Sequence, residues 1–236
     1  MALAPLPDLP DRACLRVDSQ PIVCLSDGRV AAEELLVRIV EGDGASIQPL
    51  AFIPAAERCG LMPMIDRYAI ERAAEIASTD RNVHVNLSAK TIAQPGLFDE
   101  IVGALQRHRA RAEQITFEIT ETAVAADLTE ASHLATRLAA RGFRIALDDF
   151  GSGWGAFRYL KAMPVSAIKI DREFIRDLAS NERTLALVRG IVGLARLVGH
   201  ETIAEGVEDE PTFILLRSLG VDYAQGFYVG RPQPAG

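Results

Sequence analysis

The sequence predicts an α/β fold, a single (β/α)8 barrel modified by one antiparallel strand. From residue 20 onward, short runs rich in valine, isoleucine and leucine alternate with amphipathic helical patterns, the arrangement of strand–helix units around a parallel sheet. Eight candidate strands can be counted, the number that closes such a barrel. The first two are separated only by "SDGR", an Asp-Gly turn too short for a crossover helix, so they pair antiparallel. A length of 236 residues suits one domain of this kind.

In order, the strands are "QPIVCL" (20–25), "RVAAEELLVRIV" (29–40), "VHVNLS" (83–88), "ITFEITE" (115–121), "RIALDD" (144–149), "AIKI" (167–170), "ETIAEGV" (201–207) and "YAQGFYV" (223–229). Each is a short β-branched or apolar run bounded by turn residues. Helices are expected at 64–78, 96–109, 127–142 and 182–199, where apolar positions recur three and four residues apart. The proline-rich opening, residues 1–13, reads as a flexible leader or linker remnant, and 14–236 as the domain. An N-terminal regulatory domain would attach at that opening.

With 25 basic and 32 acidic side chains the net charge is −7, which does not support a broad surface for a nucleic acid polymer. Cys14, Cys24 and Cys59 have no paired or metal-type spacing and read as free thiols in a reducing compartment, so the cytoplasm is expected. No run approaches the ~18 apolar residues of a membrane span, and no membrane insertion is expected. A Ser-His-Asp arrangement, a Walker loop and a dinucleotide-type glycine fingerprint are all missing.

Barrels of this type build their sites at the carboxyl ends of the strands. Those ends carry Glu34, Asn86, Glu118 with Glu121, Asp148 with Asp149, Lys169, Glu205 with Glu208, and Gln225. One acid at a strand end is ordinarily a helix cap. Caps, however, mix Ser, Thr, Asp and Gly, whereas here carboxylates and one Asn converge on one mouth. Like charges at that density call for hard cations, and oxygen donors without a His or Cys cluster suit Mg²⁺, Mn²⁺ or Ca²⁺. Of the four histidines, His84 alone lies on a strand, on the face of Asn86, and is assigned a structural role.

The adjacent acids Asp148 and Asp149 have a specific use: one carboxylate can bridge two metals while its neighbour binds one. Metals about 3.5–4 Å apart hold a phosphodiester, activate a water and stabilise the leaving oxygen, so the pair points to phosphodiester hydrolysis. A regular strand would send the two to opposite faces. The backbone must turn there, and "GSGWG" (151–155) supplies permissive residues.

Taken in order over residues 20 to 232, "QPIVCLSDGRV", "EELLVR", "FIPAAERCGL", "VNLS", "FEITET", "ALDDFGSG", "AIKIDREFI", "IAEGVED" and "YAQGFYVGRP" resemble the EAL domain family of bacterial cyclic di-GMP phosphodiesterases. The resemblance implies a TIM-like barrel with one antiparallel strand, a homodimer, and hydrolysis of cyclic di-GMP to linear 5′-pGpG. It also implies two divalent cations, Mg²⁺ or Mn²⁺; Ca²⁺, which prefers more ligands and longer bonds, is expected to bind and inhibit. Metal ligands fall by resemblance on Glu34, Asn86, Glu118, Asp148, Asp149 and Glu205, with Asp148 as the bridge. Lys169 matches the lysine that contacts the nucleophilic water, and Glu205 could bind metal or accept a proton. Glu121 matches the glutamate that holds the loop after the paired aspartates. Arg38 matches a phosphate-contacting arginine, and Gln20, Gln225 and Glu208 complete the substrate side.

Several positions depart from the family pattern. The signature tripeptide reads Glu34-Leu35-Leu36, Ala32 stands where glycine is usual, and Cys24 replaces a frequent acid. Trp154 and Gly155 stand where tyrosine and serine are common. A bulkier Leu35 is expected to press on its strand, and Gly155 to loosen the loop that Glu121 orders. The alternative to an enzyme is a catalytically silent cyclic di-GMP receptor or protein-interaction module of the same fold.

Overall fold

The Asp-Gly turn forms as read. In the computed structural model, which describes residues 4–5, 14–40, 46–151 and 155–235, it joins β1 (Cys14–Cys24) to β2 (Val30–Val40) as an antiparallel hairpin. Gly28 takes a φ of 74° there, and its N–H closes the turn on the Cys24 carbonyl at 2.8 Å. Six shorter strands follow: β3 (Val83–Asn86), β4 (Ile115–Thr120), β5 (Arg144–Phe150), β6 (Ala167–Ile170), β7 (Glu201–Ala204) and β8 (Tyr223–Gln225). From β2 to β8 each strand pairs parallel with the next, and β8 closes the ring by pairing antiparallel with β1. The result is an eight-stranded barrel with β1 as its one antiparallel strand.

The third and seventh barrel strands stop two and three residues short of their sequence reading, at Asn86 and Ala204, and the first and last differ most. The first begins at Cys14 rather than residue 20, because Leu15 and Val17 bury on one face while Cys14 still finds Val40 as partner. The last ends at Gln225, since the chain turns back on Val207 at Gly226, where an added Cβ would sit 2.2 Å from the Val207 carbonyl oxygen. Ala4–Pro5, within the segment read as a leader, pairs with Leu15 and Cys14.

Helices Met62–Ala77, Leu97–His108, Leu128–Ala140, Glu182–Val198 and Glu210–Leu219 are laid against the outer face of the sheet. Asp127, Asn181 and Asp209 cap the last three through side-chain acceptors on the first-turn N–H groups. The main core lies between sheet and helices, with Val85, Phe117, Ile145, Leu147 and Ile168 packing on Ala73, Leu97, Ile101, Ala135 and Leu138. Leu35 joins this core, 2% exposed, and the pairing of Gln20 with Glu34 and Ser19 with Leu35 runs unbroken past it. The expected pressure on the strand is therefore absorbed on the outer face. No helix among the described residues is long and apolar enough to cross a membrane.

The inner face is different in kind. Register partners share a face, so rows can be followed round the barrel: Glu34 beside His84, then Thr116, then Arg144; and Lys169 beside Ile203, then Tyr223, then Cys24. Each row begins at the carboxyl-terminal mouth and, through the strand tilt, reaches the other end. Between the ends the interior is lined by Ile22, Ala32, Ala146, Ala167 and Ile203, side chains mostly too small to fill it. Ala32 thus belongs to the thin middle of the barrel.

Candidate active site

Each barrel strand, or the residue just beyond it, delivers a polar side chain to the carboxyl-terminal mouth: Gln20, Glu34, Asn86, Glu118, Asp148, Lys169, Glu205 and Gln225. Lys169 is the hub. It is 1% exposed, with Nζ 2.7 Å from Glu118 Oε2 and from Glu205 Oε1, 3.3 Å from Asp148 Oδ1 and 3.5 Å from Glu34 Oε2. Burial alone would push the ammonium down, but the surrounding carboxylates outweigh it and hold the group well above its usual range.

The carboxylates divide by environment. Burial pushes Glu34 up, yet Lys169 and hydrogen bonds donated by Gln225 Nε2 at 2.6 Å and Asn86 Nδ2 at 2.9 Å hold it below the usual range. Glu118 is fully buried, and burial with the neighbouring Glu34 drives it well above that range despite Lys169. Glu205, partly buried, is driven the same way by burial, Asp148 and Glu34 against the pull of Lys169. Burial, then Asp148 and Asp171, raises Asp149 to about 6.

The Asp pair resolves its geometric problem within the strand. The β5–β6 register shifts between Leu147 and Phe150, and Asp149 adopts a φ of 53°, with its N–H donated to Asp148 Oδ1 at 2.9 Å. Left-handed backbone is tolerated by aspartate better than by most residues. The sequence reading gave this turn to the glycines; the structure puts it on Asp149 itself and continues it through Gly151 at φ 101°. As a result Asp148, Asp149 and Glu205 offer oxygens that all lie within 4.8 Å of one another. An oxygen-only set with so few neutralising charges fits hard divalent cations, and Glu34, Asn86 and Glu118 extend it on the far side of Lys169's ammonium.

The remaining predicted residues are placed as follows. Gln20 accepts from Gln225 Nε2 at 3.1 Å and donates to the Gly230 carbonyl at 3.0 Å. Glu121 is 2% exposed and accepts the Gly151 N–H on Oε1 at 2.9 Å; it holds loop backbone and makes no hydrogen bond to the acid cluster among the described residues. Arg38 is held loosely, with Nε 3.5 Å from Asp18 Oδ2 and an N–H on the Val37 carbonyl at 3.2 Å. Glu208 is not drawn into the cluster; it is exposed and lines a separate depression with Arg172, Arg176 and Asp209. Trp154 lies outside the described residues. At Gly155 an added Cβ would come 2.2 Å from the Tyr159 ring, so the glycine expected to loosen the loop instead admits a close packing contact.

Two residues escaped the sequence reading, Asp66 and Asp171, and a third, His84, is read there only as structural. Asp66 sits on the buried face of Met62–Ala77, where its Oδ2 accepts from the Ser88 N–H and from the hydroxyls of Ser88 and Thr91, fixing the turn that follows Asn86. An acid inside an apolar helix stripe was the available signal. Asp171, which caps the helix Arg172–Arg176, also faces Asp149. His84 places Nδ1 2.7 Å from Glu118 Oε1.

Two cavities flank this arrangement. One of about 490 Å³ opens beside the acid cluster, walled by Leu36, Phe52, Met62 and Ile65 with Arg38 and Asn86 at its polar edge. The other, about 410 Å³, enters from the opposite end of the barrel, past Arg29, Asn82, Arg144 and Tyr223, and reaches His84. Four of the charges at that end form two pairs, Arg144 with Glu201 and Arg29 with Asp27.

Comparison with known proteins agrees with this picture. The protein-family model for the EAL domain matches residues 6–232. The chain is 38% identical over 207 residues to the cyclic di-GMP phosphodiesterase PdeB of Shewanella oneidensis, covering 85% of this chain and 24% of that protein. It is 36% identical over 232 residues to the bifunctional diguanylate cyclase/cyclic di-GMP phosphodiesterase MucR of Pseudomonas aeruginosa, covering 95% of this chain and 34% of that one. This chain thus spans about a quarter to a third of the length of these relatives. Among solved structures, the PaMucR phosphodiesterase in complex with c-di-GMP superposes with a TM-score of 0.88 at 36% identity, over 94% of this chain and 92% of that one. The FimX EAL domain of Pseudomonas aeruginosa bound to c-di-GMP follows at 0.87 and 28%, over 94% and 91%.

Proposed function

Because the chain belongs to the EAL domain family, we propose that it hydrolyses cyclic di-GMP to linear 5′-pGpG at the carboxyl-terminal mouth, with Mg²⁺ or Mn²⁺ bound there. The observation that carries this reading is the convergence of Asp148, Asp149 and Glu205 oxygens within 4.8 Å of one another, beside a buried lysine that touches four carboxylates. Bound divalent cations would supply a water activated at neutral pH and charge stabilisation for the departing oxygen. In the overall reaction the water oxygen adds to phosphorus, the P–O3′ bond breaks, and the 3′ oxygen leaves with a proton.

The chain's own groups take the other parts. Asp148, Asp149 and Glu205, with Glu34, Asn86 and Glu118, form the ligand set. Lys169 stays an ammonium; it orients the attacking water and offsets charge, and does not act as a base. Glu205, which reaches both Lys169 and the oxygens of Asp148 and Asp149 and is made more basic by burial, is suited to take the proton of that water. Arg38, which spends few of its five donors on the described residues, offers a guanidinium fork to a phosphate oxygen. The apolar-walled pocket beside it is of a size and lining for one base of the dinucleotide. Gln225 Oε1, buried without a partner among the described residues, is an acceptor kept for the bound substrate.

The test is to incubate the purified chain with cyclic di-GMP and Mg²⁺ or Mn²⁺ and follow linear product by chromatography. Product confirms the enzyme. Tight binding without product would replace it with a silent receptor.

A further inference from the structure

His84 is the one imidazole in the barrel interior, and it sits between the two ends. Its register partners are Glu34 on β2 and Thr116 on β4, one step toward the amino-terminal end from the pair Asn86 and Glu118. The small neighbours Ala146 and Ala167 leave the ring room, and it is 7% exposed. From there Nδ1 reaches Glu118 Oε1 at 2.7 Å, while Lys169 Nζ holds Oε2 at 2.7 Å. Both oxygens of a carboxylate that is 0% exposed are therefore fixed by one donor each. Each oxygen has a second lone pair, so this grip leaves two acceptor positions for a cation.

The 2.7 Å separation of Nδ1 and Oε1 is that of a ring N–H donated to a carboxylate oxygen. A neutral ring has one N–H to give. When Glu118 is the carboxylate that cation binding requires, that N–H is on Nδ1, and Nε2 is left as an acceptor toward the cavity of about 410 Å³ that His84 lines.

We propose that His84 is a positioning residue: the Nδ1–H it donates to Oε1 sets the plane of the Glu118 carboxylate and thereby the affinity of the carboxyl-terminal mouth for divalent cations. This rests on the reading of Glu118 as a cation ligand. Outer hydrogen bonds of this kind typically change metal affinity by about 10- to 100-fold. Read from the sequence, the residue has only a structural part, and a packing role predicts no dependence on the N–H.

Three substitutions separate the two roles. His84→Asn returns an N–H donor near the position of Nδ1, His84→Leu fills the space without one, and His84→Ala opens it to the cavity. Mn²⁺ binding is measured by titration calorimetry without substrate, alongside turnover of cyclic di-GMP. His84→Leu is expected to lose about 10- to 100-fold in Mn²⁺ affinity and His84→Asn to stay near the unsubstituted chain. His84→Ala should regain affinity with added imidazole, which can enter from the amino-terminal end, and not with 1-methylimidazole, which has no N–H. Unchanged affinity in His84→Leu overturns the proposal. So does a loss in His84→Asn equal to that in His84→Ala with no rescue of Ala by imidazole, a comparison that holds even if His84→Leu fails to fold. If the unsubstituted chain binds Mn²⁺ but yields no linear product, the phosphodiesterase reading fails while the affinity series still decides His84. Absence of Mn²⁺ binding by the unsubstituted chain overturns both.

Discussion

The two ends of the barrel carry similar numbers of charged groups and use them in opposite ways. At the amino-terminal end the charges of the cavity wall, Glu113 apart, have a partner in contact: Arg144 meets Glu201, whose other oxygen accepts from Tyr223, and Arg29 meets Asp27 at 2.7 Å. At the carboxyl-terminal mouth Glu34, Glu118, Asp148 and Glu205 share the single ammonium of Lys169, and Asp149 faces Asp148 and Asp171 more closely than it feels Lys169, with no ion pair of its own among the described residues. A self-neutralised end is finished by folding. An end with surplus buried carboxylate is finished only by something positive from outside, and that is the physical difference between a structural face and a site.

The most severe way to break this contrast is to remove a ligand from the surplus. Asp148→Ala or Glu34→Ala is expected to lower kcat by roughly 10³-fold or more, followed as linear product by chromatography. Turnover near the wild-type rate in either variant would show that the acid cluster is not the site. Next in size is Lys169→Met, which leaves four carboxylates, three of them buried, without their shared partner. A loss of about 3–5 kcal/mol of stability is expected in chelator, read by denaturant titration, together with loss of turnover. Added Mn²⁺ should recover part of that stability, because it replaces the missing charge; the Arg144 end, already neutral, has no such dependence.

The contrast also has a pH signature. The folded Asp149 carboxyl is raised to about 6 from an ordinary 3.8, so between those values the folded chain holds a proton that the unfolded chain has released. Stability of the cation-free protein through this group is therefore greatest below pH 4 and is lost as pH rises through 6. Glu118 and Glu205, raised in the same direction, extend the trend upward. Cation binding needs these groups deprotonated, so the gain in Tm from Mn²⁺ over chelator should grow from pH 5 to 7. At saturation the gain approaches about 2.7 kcal/mol when Mn²⁺ exceeds its Kd a hundredfold. A gain independent of pH would mean that the raised carboxylates are not the cation's ligands.

How much of this could be read from the chain follows from what each feature depends on. Alternating runs and the Asp-Gly turn are local, and they yielded eight strands, the hairpin and four of the longer helices, while Pro49–Arg58 and Glu210–Leu219 went unread. Acids at strand ends are legible because a barrel places those ends together by construction. What local pattern cannot carry is contact across the ring. The hydrogen bond of His84 to Glu118 depends on parallel register between β3 and β4, and the pairing of Arg144 with Glu201 joins strands that are two places apart in the sheet. Glu208 shows the reverse error: it shares a strand end with Glu205 in sequence, but the backbone turns at Gly206, with φ at 67°, and carries it to a separate depression. The bulge at Asp149 was sensed from chemistry, as a need for both carboxylates to face one way, and misplaced because glycines are the residues that usually advertise a turn.

The smallest expected effect tests the finished end. Arg144→Gln removes a guanidinium that is 41% exposed and paired with a Glu201 carboxylate that is 38% exposed. Water screens such a pair, so the loss of stability should stay within about 1 kcal/mol, and the Mn²⁺-dependent gain in Tm and the rate of linear product formation should both remain at the unsubstituted level. The substitution reaches the cavity of about 410 Å³ without touching the hydrogen bond between His84 and Glu118. A large fall in Mn²⁺ affinity from Arg144→Gln would show that the two ends are electrostatically coupled through the thin middle of the barrel, and the division into a finished and an unfinished end would have to be given up.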